Sequence, residues 1–327
     1  MPGNDAEAST ASKSALRANA SKLQVEQVSP RLQAFAASNF SEGADRMCLI
    51  RALEAGGGGD CLFHSIAAGL AQMVLHLGDD ATNHVSDRVQ LQELSSSSSA
   101  VRALRQLSAS ATDRWHPEAF LDYMVNRSLE QQLGAFQDLW NPTQLLMECG
   151  FEAIVGCESV LAFGDAPDGQ PGDAVIRVAR AEAYRGGAPR QEELCLLTDG
   201  WRKLVDLRSR VKTQLATPGN THWGDQFDVQ NLSDVLDIGI LMFCNLLQNN
   251  GRSCLYNIGS QREAFPYWMA LWWDEPTHFR LAQMAFVDRT FEACNEAYQP
   301  EFVSCWHSHD LPPALLQQYN ACNRLAS

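Results

Sequence analysis

The feature that most constrains this chain is a run of four glycines, residues 56–59, directly before Asp60 and Cys61. Glycine has no Cβ and adopts positive φ freely, so the run permits a sharp backbone turn. The residues that follow are apolar at helical spacing: Leu62, Phe63, Ile66, Ala67 and Leu70. This spacing predicts a helix over 61–75 that begins at Cys61. Unpaired N–H groups and the helix dipole at such a terminus favour a thiolate.

A reactive cysteine requires further groups, and the chain offers candidates for them. A base must take the thiol proton, two N–H groups must bind the oxyanion, and a third group usually orients the base. The backbone N–H groups of Gly58 and Cys61 are our candidates for the oxyanion hole. Among eight histidines, His278 is the candidate base because it opens a predicted strand after a tight turn. The alternative is a loop before a core helix, with Cys61 and His278 both structural.

Composition and charge restrict the class of function. A chain of 327 residues can build a sizeable core, and its formal net charge of −14 disfavours nucleic acid as a partner. Ten cysteines without a CxxC pair are typical of a reducing compartment. Residues 1–20 lack the apolar stretch of a secretory signal, and the most apolar segment, 238–247, is too short to span a bilayer. We expect a cytoplasmic protein of the cytosol or nucleus, or of the host cytosol for an effector, without membrane contact.

The pattern along the chain predicts one main domain with additions. We expect a disordered N-terminus over 1–22, a main domain over 23–284, an insertion at about 150–215 that is largely helical, and a helical extension over 285–327. The polar segment 78–100, which ends in serines, is predicted as a flexible loop. Strands are predicted at 47–55, 174–179, 238–244, 267–273 and 278–283, and helices at 61–75, 100–109, 117–149, 201–215 and 226–236.

Three segments resemble the ovarian tumour (OTU) family of cysteine proteases, and they occur in that family's order. GGGGDCLFHSI, residues 56–66, is similar to its nucleophile motif, in which Gly-Asp-Gly-x-Cys-Leu-Phe-Arg-Ala is typical. HWGDQFDVQNLSDVLDIGILMF, residues 222–243, is similar to its Trp-Gly, helix and apolar-strand segment. THFRLAQM, residues 277–284, is similar to its His-aromatic strand.

The resemblance implies a papain-like α/β fold of the α+β type, with a central mixed or antiparallel sheet flanked by helices. It implies that 23–284 is a catalytic domain with deubiquitinating activity, with Cys61 as nucleophile and His278 as general base. It places four further residues at the substrate channel: Gly59, Asp60, Trp223 and Phe279. The partner implied is ubiquitin or a ubiquitin-like protein, whose basic tail suits an acidic chain. We expect a monomer that uses no cofactor.

Two positions depart from the family pattern. Gly58 stands three residues before the cysteine, where the family often has Asp, and Arg280 stands two residues after the histidine, where Asp or Asn is usual. A guanidinium has no acceptor for the imidazole proton. The orienting residue is therefore open. We name Asp274, from the same hairpin, and the alternatives are a backbone carbonyl, a water or a more distant acid.

Three functions follow from these observations. The first is a thiol-dependent isopeptidase, a deubiquitinase that cleaves ubiquitin or a ubiquitin-like modifier from lysine through a thioester. The second is a catalytically impaired OTU-like protein that binds ubiquitin or serves as a scaffold, and the third is a cysteine protease that processes a polypeptide. Three zinc-type ligands stand within five residues, Cys305, His307 and His309. A structural zinc site usually takes four ligands in separated pairs, so we predict no metal.

Overall fold

A mainly antiparallel sheet carries helices on both of its faces, which confirms the predicted α+β class. The computed structural model describes residues 13–28, 30–40, 46–132, 139–155, 159–165, 174–181, 191–193, 200–244, 254–257, 264–274, 278–288 and 300–317. The described strands are β1 (Gln24–Glu26), β2 (Arg46–Glu54), β3 (Ser159–Asp165), β4 (Ala174–Ala181), β5 (Gln191–Glu193), β6 (Ile238–Cys244), β7 (Cys254–Asn257), β8 (Tyr267–Asp274), β9 (His278–Asp288) and β10 (Cys305–His307).

The main sheet has the order β1-β2-β9-β8-β6-β7, and β10 pairs with the N-terminal half of β8. β6 and β8 are parallel, whereas the other neighbours are antiparallel, so the sheet is mixed as predicted. β2 and β9 are adjacent and antiparallel over their whole shared length. The C-terminal end of β2 therefore lies beside the N-terminal start of β9.

The helices predicted at 61–75, 100–109, 201–215 and 226–236 are present and begin within three residues of the predicted positions. The described helices are α1 (13–20), α2 (Pro30–Asn39), α3 (Cys61–His76), α4 (Gly78–Ser86), α5 (Leu91–Leu94), α6 (Ser97–Ala111), α7 (Pro117–Gln132), α8 (Pro142–Glu148), α9 (Gly200–Leu215) and α10 (Gln226–Leu236). α3 begins at Cys61 as predicted. The predicted helix over 117–149 is two helices, because Pro142 starts α8 at its first position and the Asn141 side chain caps it.

Side chains alternate between two cores on opposite faces of the main sheet. Leu53 and Leu281 contribute to the core beneath α3, whereas their neighbours Ala52 and Ala282 contribute to the core beneath α2. This alternation is the period of two that extended strands impose. Because both faces are covered, the strands read as nearly continuous apolar runs. α3 is thereby packed directly against β8 and β9.

The described chain divides into two compact units, Met1–Leu107 with Trp223–Ser327, and Ser108–His222. The second unit is wider than the insertion predicted at 150–215. It contains α7, α8 and α9 and also the antiparallel sheet β3-β4-β5, of which only the strand at 174–179 was predicted. The strand predicted at 174–179 and the helix predicted at 201–215 are both confirmed.

The segment 78–100, predicted as a flexible loop, is helical over most of its length. The serine run starts a helix instead of forming a linker. Ser96 Oγ accepts the Ser99 N–H at 3.2 Å, which caps the first turn of α6. Serine is common both in linkers and at helix N-termini, so its composition alone did not decide between them.

Both ends of the main domain differ from the predictions. Residues 13–20 of the supposedly disordered N-terminus form α1, whose Leu16 is fully buried in the core beneath α3; residues 1–12 lie outside the described residues. The predicted helical extension over 285–327 contains the end of β9 and β10, with a short helix only at 313–317 among its described residues. β10 can pair with the N-terminal half of β8 because β9 pairs only with the C-terminal half.

No helix within the described ranges is both long enough and apolar enough to cross a lipid bilayer.

Candidate active site

Cys61 lies where the glycine run becomes a helix. β2 ends at Glu54, residues Gly58–Asp60 form a 3-10 turn, and α3 begins immediately afterwards. Gly58 has φ +72°, a left-handed conformation that side chains seldom tolerate. The glycine run therefore lets the chain turn from the end of β2 into the N-terminus of α3, the helix that carries the candidate nucleophile.

His64 contacts the glycine run and the start of α6. Its ring packs so closely on Gly56 that a Cβ there would lie 2.5 Å from the ring. His64 Nδ1 is 2.8 Å from Ser97 Oγ. Burial lowers the pKa of His64, so its ring is neutral near pH 7. His64 therefore packs between the glycine run and α6.

His278 and Cys61 meet at the edge where β9 begins. The His278 imidazole is hydrogen-bonded to the Cys61 thiol. Two further hydrogen bonds join this end of β9 to the first turns of α3. The Phe279 N–H donates to Cys61 Sγ at 3.4 Å, and Ser65 Oγ donates to the Phe279 carbonyl at 3.1 Å. The structure thus brings together the two residues that the sequence analysis named as nucleophile and base.

Glu54 completes a chain of three side chains. His278 Nε2 donates to Glu54 Oε2 at 2.6 Å, and each of these side chains is 24% exposed. The Gly56 N–H donates to the other carboxylate oxygen, Oε1, at 3.0 Å. Because Nε2 is engaged with the carboxylate, Nδ1 is the ring nitrogen that remains for the sulfur. A base held at one nitrogen and facing a nucleophile with the other is the arrangement of a catalytic triad.

Arg280 supports this acid instead of replacing it. Arg280 Nε lies 3.2 Å from Glu54 Oε2 and 2.9 Å from Glu26 Oε2. The register pairs Leu53 with Leu281, which puts Glu54 opposite Arg280 on the adjacent strand. The acid is therefore supplied by β2, across the ladder from β9. The unusual cation at the second position after the histidine holds that acid in place.

The charges of the site reinforce one another. The hydrogen bond to Cys61 raises the pKa of His278 to about 9, against the effect of burial and with further support from Glu54. Burial by itself would raise the pKa of Glu54, but the hydrogen bonds from His278 and Gly56 and the charges of His278 and Arg280 together hold it below its ordinary value. The imidazole is therefore positively charged at neutral pH. A cation thus lies beside the sulfur of the candidate nucleophile at the N-terminus of α3.

A buried arginine fixes the turn before the nucleophile. Arg105, on α6, has a fully buried side chain whose Nε donates to Asp60 Oδ1 at 2.6 Å and whose Nη2 donates to the Gly59 carbonyl at 2.9 Å. The same carbonyl accepts the Gly224 N–H at 3.4 Å. The guanidinium lies over the Phe63 ring, 4.4 Å from its centroid. Asp60 therefore anchors the loop to α6.

The two residues predicted to form the oxyanion hole, Gly58 and Cys61, are hydrogen-bonded to each other within the 3-10 turn. The Cys61 N–H donates to the Gly58 carbonyl. The sulfur lies in a closed environment, since Cys61 is only 2% exposed. For the Cys61 N–H to bind an oxyanion, this turn has to open, and the glycine at 58 removes the steric barrier to that change. The oxyanion hole therefore stays a prediction.

The other predicted site residues lie in the same region, with different exposure. Trp223 is half-buried, next to the Gly224 that bonds the loop, and Gly59 is buried. The Phe279 ring faces the core: it is 2% exposed and stacks on Trp273 with a centroid distance of 5.7 Å. Phe279 contacts the sulfur only through its backbone N–H among the hydrogen bonds described.

Asp274 pairs with His278 across the hairpin, but its side chain and residues 275–277 lie outside the described residues. The orienting role of Asp274 stays a prediction, and Glu54 is the acid in contact.

Sequence reasoning missed Glu54 and Arg105. Glu54 ends a predicted strand just before the glycines, and Arg280 stands where an acid was expected, so a charge exchange between neighbouring strands was a possible signal. That signal needs the pairing of β2 with β9, which joins segments more than 200 residues apart. Arg105 carries no sequence signal of its own. It stands among apolar residues of α6 and is recognised only from what it contacts.

Two of the three potential zinc ligands near the C-terminus, Cys305 and His307, contact the segment of α3. Cys305 is buried and donates to the Gly69 carbonyl at 3.3 Å, and burial raises its thiol pKa to about 12. His307 Nε2 lies 3.0 Å from the Leu77 carbonyl. Each side chain is thus bonded to the backbone around α3. These contacts join β10 to the helix that carries Cys61.

The sequence was compared with models of known protein families and with curated proteins, and neither comparison gave a match.

Proposed function

We propose that this chain is a cysteine hydrolase that removes ubiquitin or a ubiquitin-like modifier from lysine. Cys61 is the nucleophile, His278 the general base and Glu54 the residue that orients it. The observation that carries the proposal is that His278 is hydrogen-bonded both to the Cys61 thiol and, at 2.6 Å, to the Glu54 carboxylate. The modifier as substrate rests on the resemblance of three sequence segments to OTU proteases.

The reaction follows from the three side chains. The thiolate of Cys61 attacks the carbonyl carbon of the modifier's terminal glycine, and a new C–S bond forms. The imidazolium of His278 gives its proton to the lysine nitrogen as the C–N bond breaks, which leaves a thioester. The neutral imidazole then takes a proton from water, whose oxygen attacks the thioester. The C–S bond then breaks, which restores the thiolate beside the imidazolium, and the released carboxylic acid of the modifier gives its proton to solvent.

Glu54 contributes orientation and charge. Its carboxylate holds Nε2, so the ring cannot rotate away from the sulfur, and its negative charge stabilises the imidazolium. Arg280 and the Gly56 N–H restrain the carboxylate in turn. The site therefore keeps a complete acid–base chain although its acid comes from another strand than the family pattern indicates.

Ubiquitin binding without turnover is a second candidate function. It is favoured by the burial of Cys61, which is 2% exposed, and by the engagement of its N–H with Gly58. A site that never opens would bind the modifier at the surface without attacking it. A polypeptide-processing protease would use the same three side chains, so only a panel of substrates separates it from an isopeptidase.

The decisive experiment uses ubiquitin that carries a thiol-reactive electrophile in place of its terminal carboxylate. Incubation followed by mass spectrometry is expected to locate the adduct on Cys61 alone among ten cysteines. Cys61→Ala removes labelling, whereas Cys149→Ala, a buried thiol of the other unit, retains it. Labelling of several thiols, or of none, contradicts the proposal. Binding of unmodified ubiquitin that is unaffected by Cys61→Ala, without any adduct, would instead support the second candidate.

A further inference from the structure

A cavity of about 220 Å³ lies on the side of α3 that faces away from the sheet. Its wall on α3 consists of residues 64, 67, 68 and 71, which share one helix face at spacings of three and four. Three of these four are alanines. Leu16 and Leu23 close the apolar part from the N-terminal segment. Small side chains on one helix, covered by larger ones from another segment, leave space between them.

The size of the cavity restricts the occupant. An engineered apolar cavity of ~150 Å³ holds benzene, and pockets for drug-sized ligands begin at ~300 Å³. A volume between these limits suits a compact group of about six to twelve heavy atoms. Ala67, Ala68 and Leu23 are only partly buried, so they present apolar surface to an occupant. The body of the ligand is therefore aliphatic.

The polar rim determines the charge of the occupant. Its charged groups are Lys22 and Glu54, and His64 is neutral near pH 7 because burial lowers its pKa. The Glu54 carboxylate is already bonded to His278 and to the Gly56 N–H. Lys22 is exposed and has no ion-pair partner among the described residues. The uncompensated charge on the rim is positive, so an anionic head group is favoured.

We propose that this cavity binds a compact aliphatic carboxylate, with its carbon body against the alanines of α3 and its head group near Lys22. Two sources supply this chemistry, a free short-chain acid and the C-terminal residue of a peptide. Because Glu54 borders the cavity and also holds His278, an occupant is placed to influence the candidate active site. That regulatory consequence rests on the proposed function, whereas the binding itself does not.

Binding is tested on the full chain by titration in protein-observed methyl NMR. The ligands are isovalerate, isoamylamine with the same carbon skeleton, and N-acetyl-L-leucine as a model of a peptide end. We expect millimolar binding of at least one carboxylate, shifts of the Ala67 and Ala68 methyls, and at least tenfold weaker binding of the amine. Preference for isovalerate identifies a free acid, and preference for N-acetyl-L-leucine identifies a chain end.

Two variants check the site. Lys22→Gln is expected to weaken carboxylate binding at least fivefold, whereas Lys13→Gln, at the start of α1 and paired with Asp79, leaves it unchanged. Ala68→Phe fills the cavity and abolishes binding; if that variant does not fold, Lys22→Gln and the methyl shifts still decide. No carboxylate binding at 20 mM, stronger binding of the amine, or binding insensitive to Lys22→Gln overturns the proposal.

The regulatory consequence has a separate readout. Saturating carboxylate is expected to change the rate of Cys61 alkylation by iodoacetamide at least twofold, and Lys22→Gln removes that change. An unchanged rate overturns the regulatory role. Carboxylate binding to Cys61→Ala is expected to equal binding to the unaltered chain, so failure of the proposed hydrolase leaves the cavity test intact.

Discussion

At the scale of single residues, the site is defined by which atoms each polar group touches. His278 bonds the Cys61 thiol on one side and Glu54 on the other, and Arg280 links Glu54 to Glu26. The 2.6 Å contact between His278 and Glu54 joins two side chains that are mostly shielded from water. A short charge-assisted hydrogen bond in such surroundings is stronger than an exposed ion pair.

Replacing Glu54 with Gln tests the orienting role. The amide removes the negative charge that helps to raise the pKa of His278 from its ordinary value towards about 9. We expect that pKa to fall and the rate of Cys61 labelling by the ubiquitin electrophile to drop by roughly 100-fold or more. The matched control is Glu26→Gln, which loses one ion pair with Arg280 and keeps the His278 contact. Equal effects of both variants would show that Glu54 has no special role.

The glycines of the loop differ in whether a side chain fits at their position, and alanine substitution tests this difference. Gly56→Ala places a Cβ 2.5 Å from the His64 ring, so we expect a loss of about 1–3 kcal/mol in the free energy of unfolding. Gly57→Ala has open space, and its backbone is extended, so it stays within about 0.5 kcal/mol. Urea denaturation measures both. A larger loss for Gly57→Ala would contradict the packing described around His64.

At the scale of elements, the site forms where three segments end. β2 ends at Glu54, β9 begins at His278 and α3 begins at Cys61, all at one edge of the main sheet. α6 supports this junction from beneath through Arg105. Each catalytic candidate is therefore attached to a regular element, and only the short glycine loop lies between them. Rigid elements hold reactive groups more accurately than loops do.

Arg105→Met tests the support from α6. Removal of the guanidinium takes two buried N–H donors away from Asp60 Oδ1 and the Gly59 carbonyl, so we expect a loss of about 3 kcal/mol or more in unfolding free energy. Arg88→Met is the control, because Arg88 forms a partly exposed pair with Asp237 and its loss costs about 1 kcal/mol at most. Urea denaturation of the two variants gives the comparison. Similar losses would mean that Arg105 is an ordinary ion pair.

At the scale of the whole molecule, the protonation of the site is linked to folding. A group whose pKa is higher in the folded chain stabilises it fully below the unfolded pKa, and that contribution disappears as pH rises through the folded pKa. For His278 these values are 6.5 and about 9. Glu54 acts in the opposite direction, since its lowered pKa stabilises the fold above its ordinary value of 4.5 and less so in acid.

The unfolding free energy is therefore expected to decline between pH 6.5 and 9 through the contribution of His278. His278→Asn removes that contribution, and Cys61→Ser weakens it because the hydrogen bond to the thiol is its largest cause. Urea denaturation at pH 6, 7.5 and 9 measures the slope for each protein. A decline that is equally steep in all three would place the pH dependence outside the site.

The sequence by itself determined the local elements of the site. The glycine run, the apolar spacing after Cys61 and the aromatic strand before His278 predicted α3, β8 and β9, because helix and strand periodicity depend on neighbouring residues. The tertiary structure alone decided the acid. Glu54 reaches His278 only because β2 and β9 pair across more than 200 residues, and Arg105 reaches Asp60 only because α6 packs beneath the loop. Such contacts are set by the packing of complete elements, which no local pattern encodes.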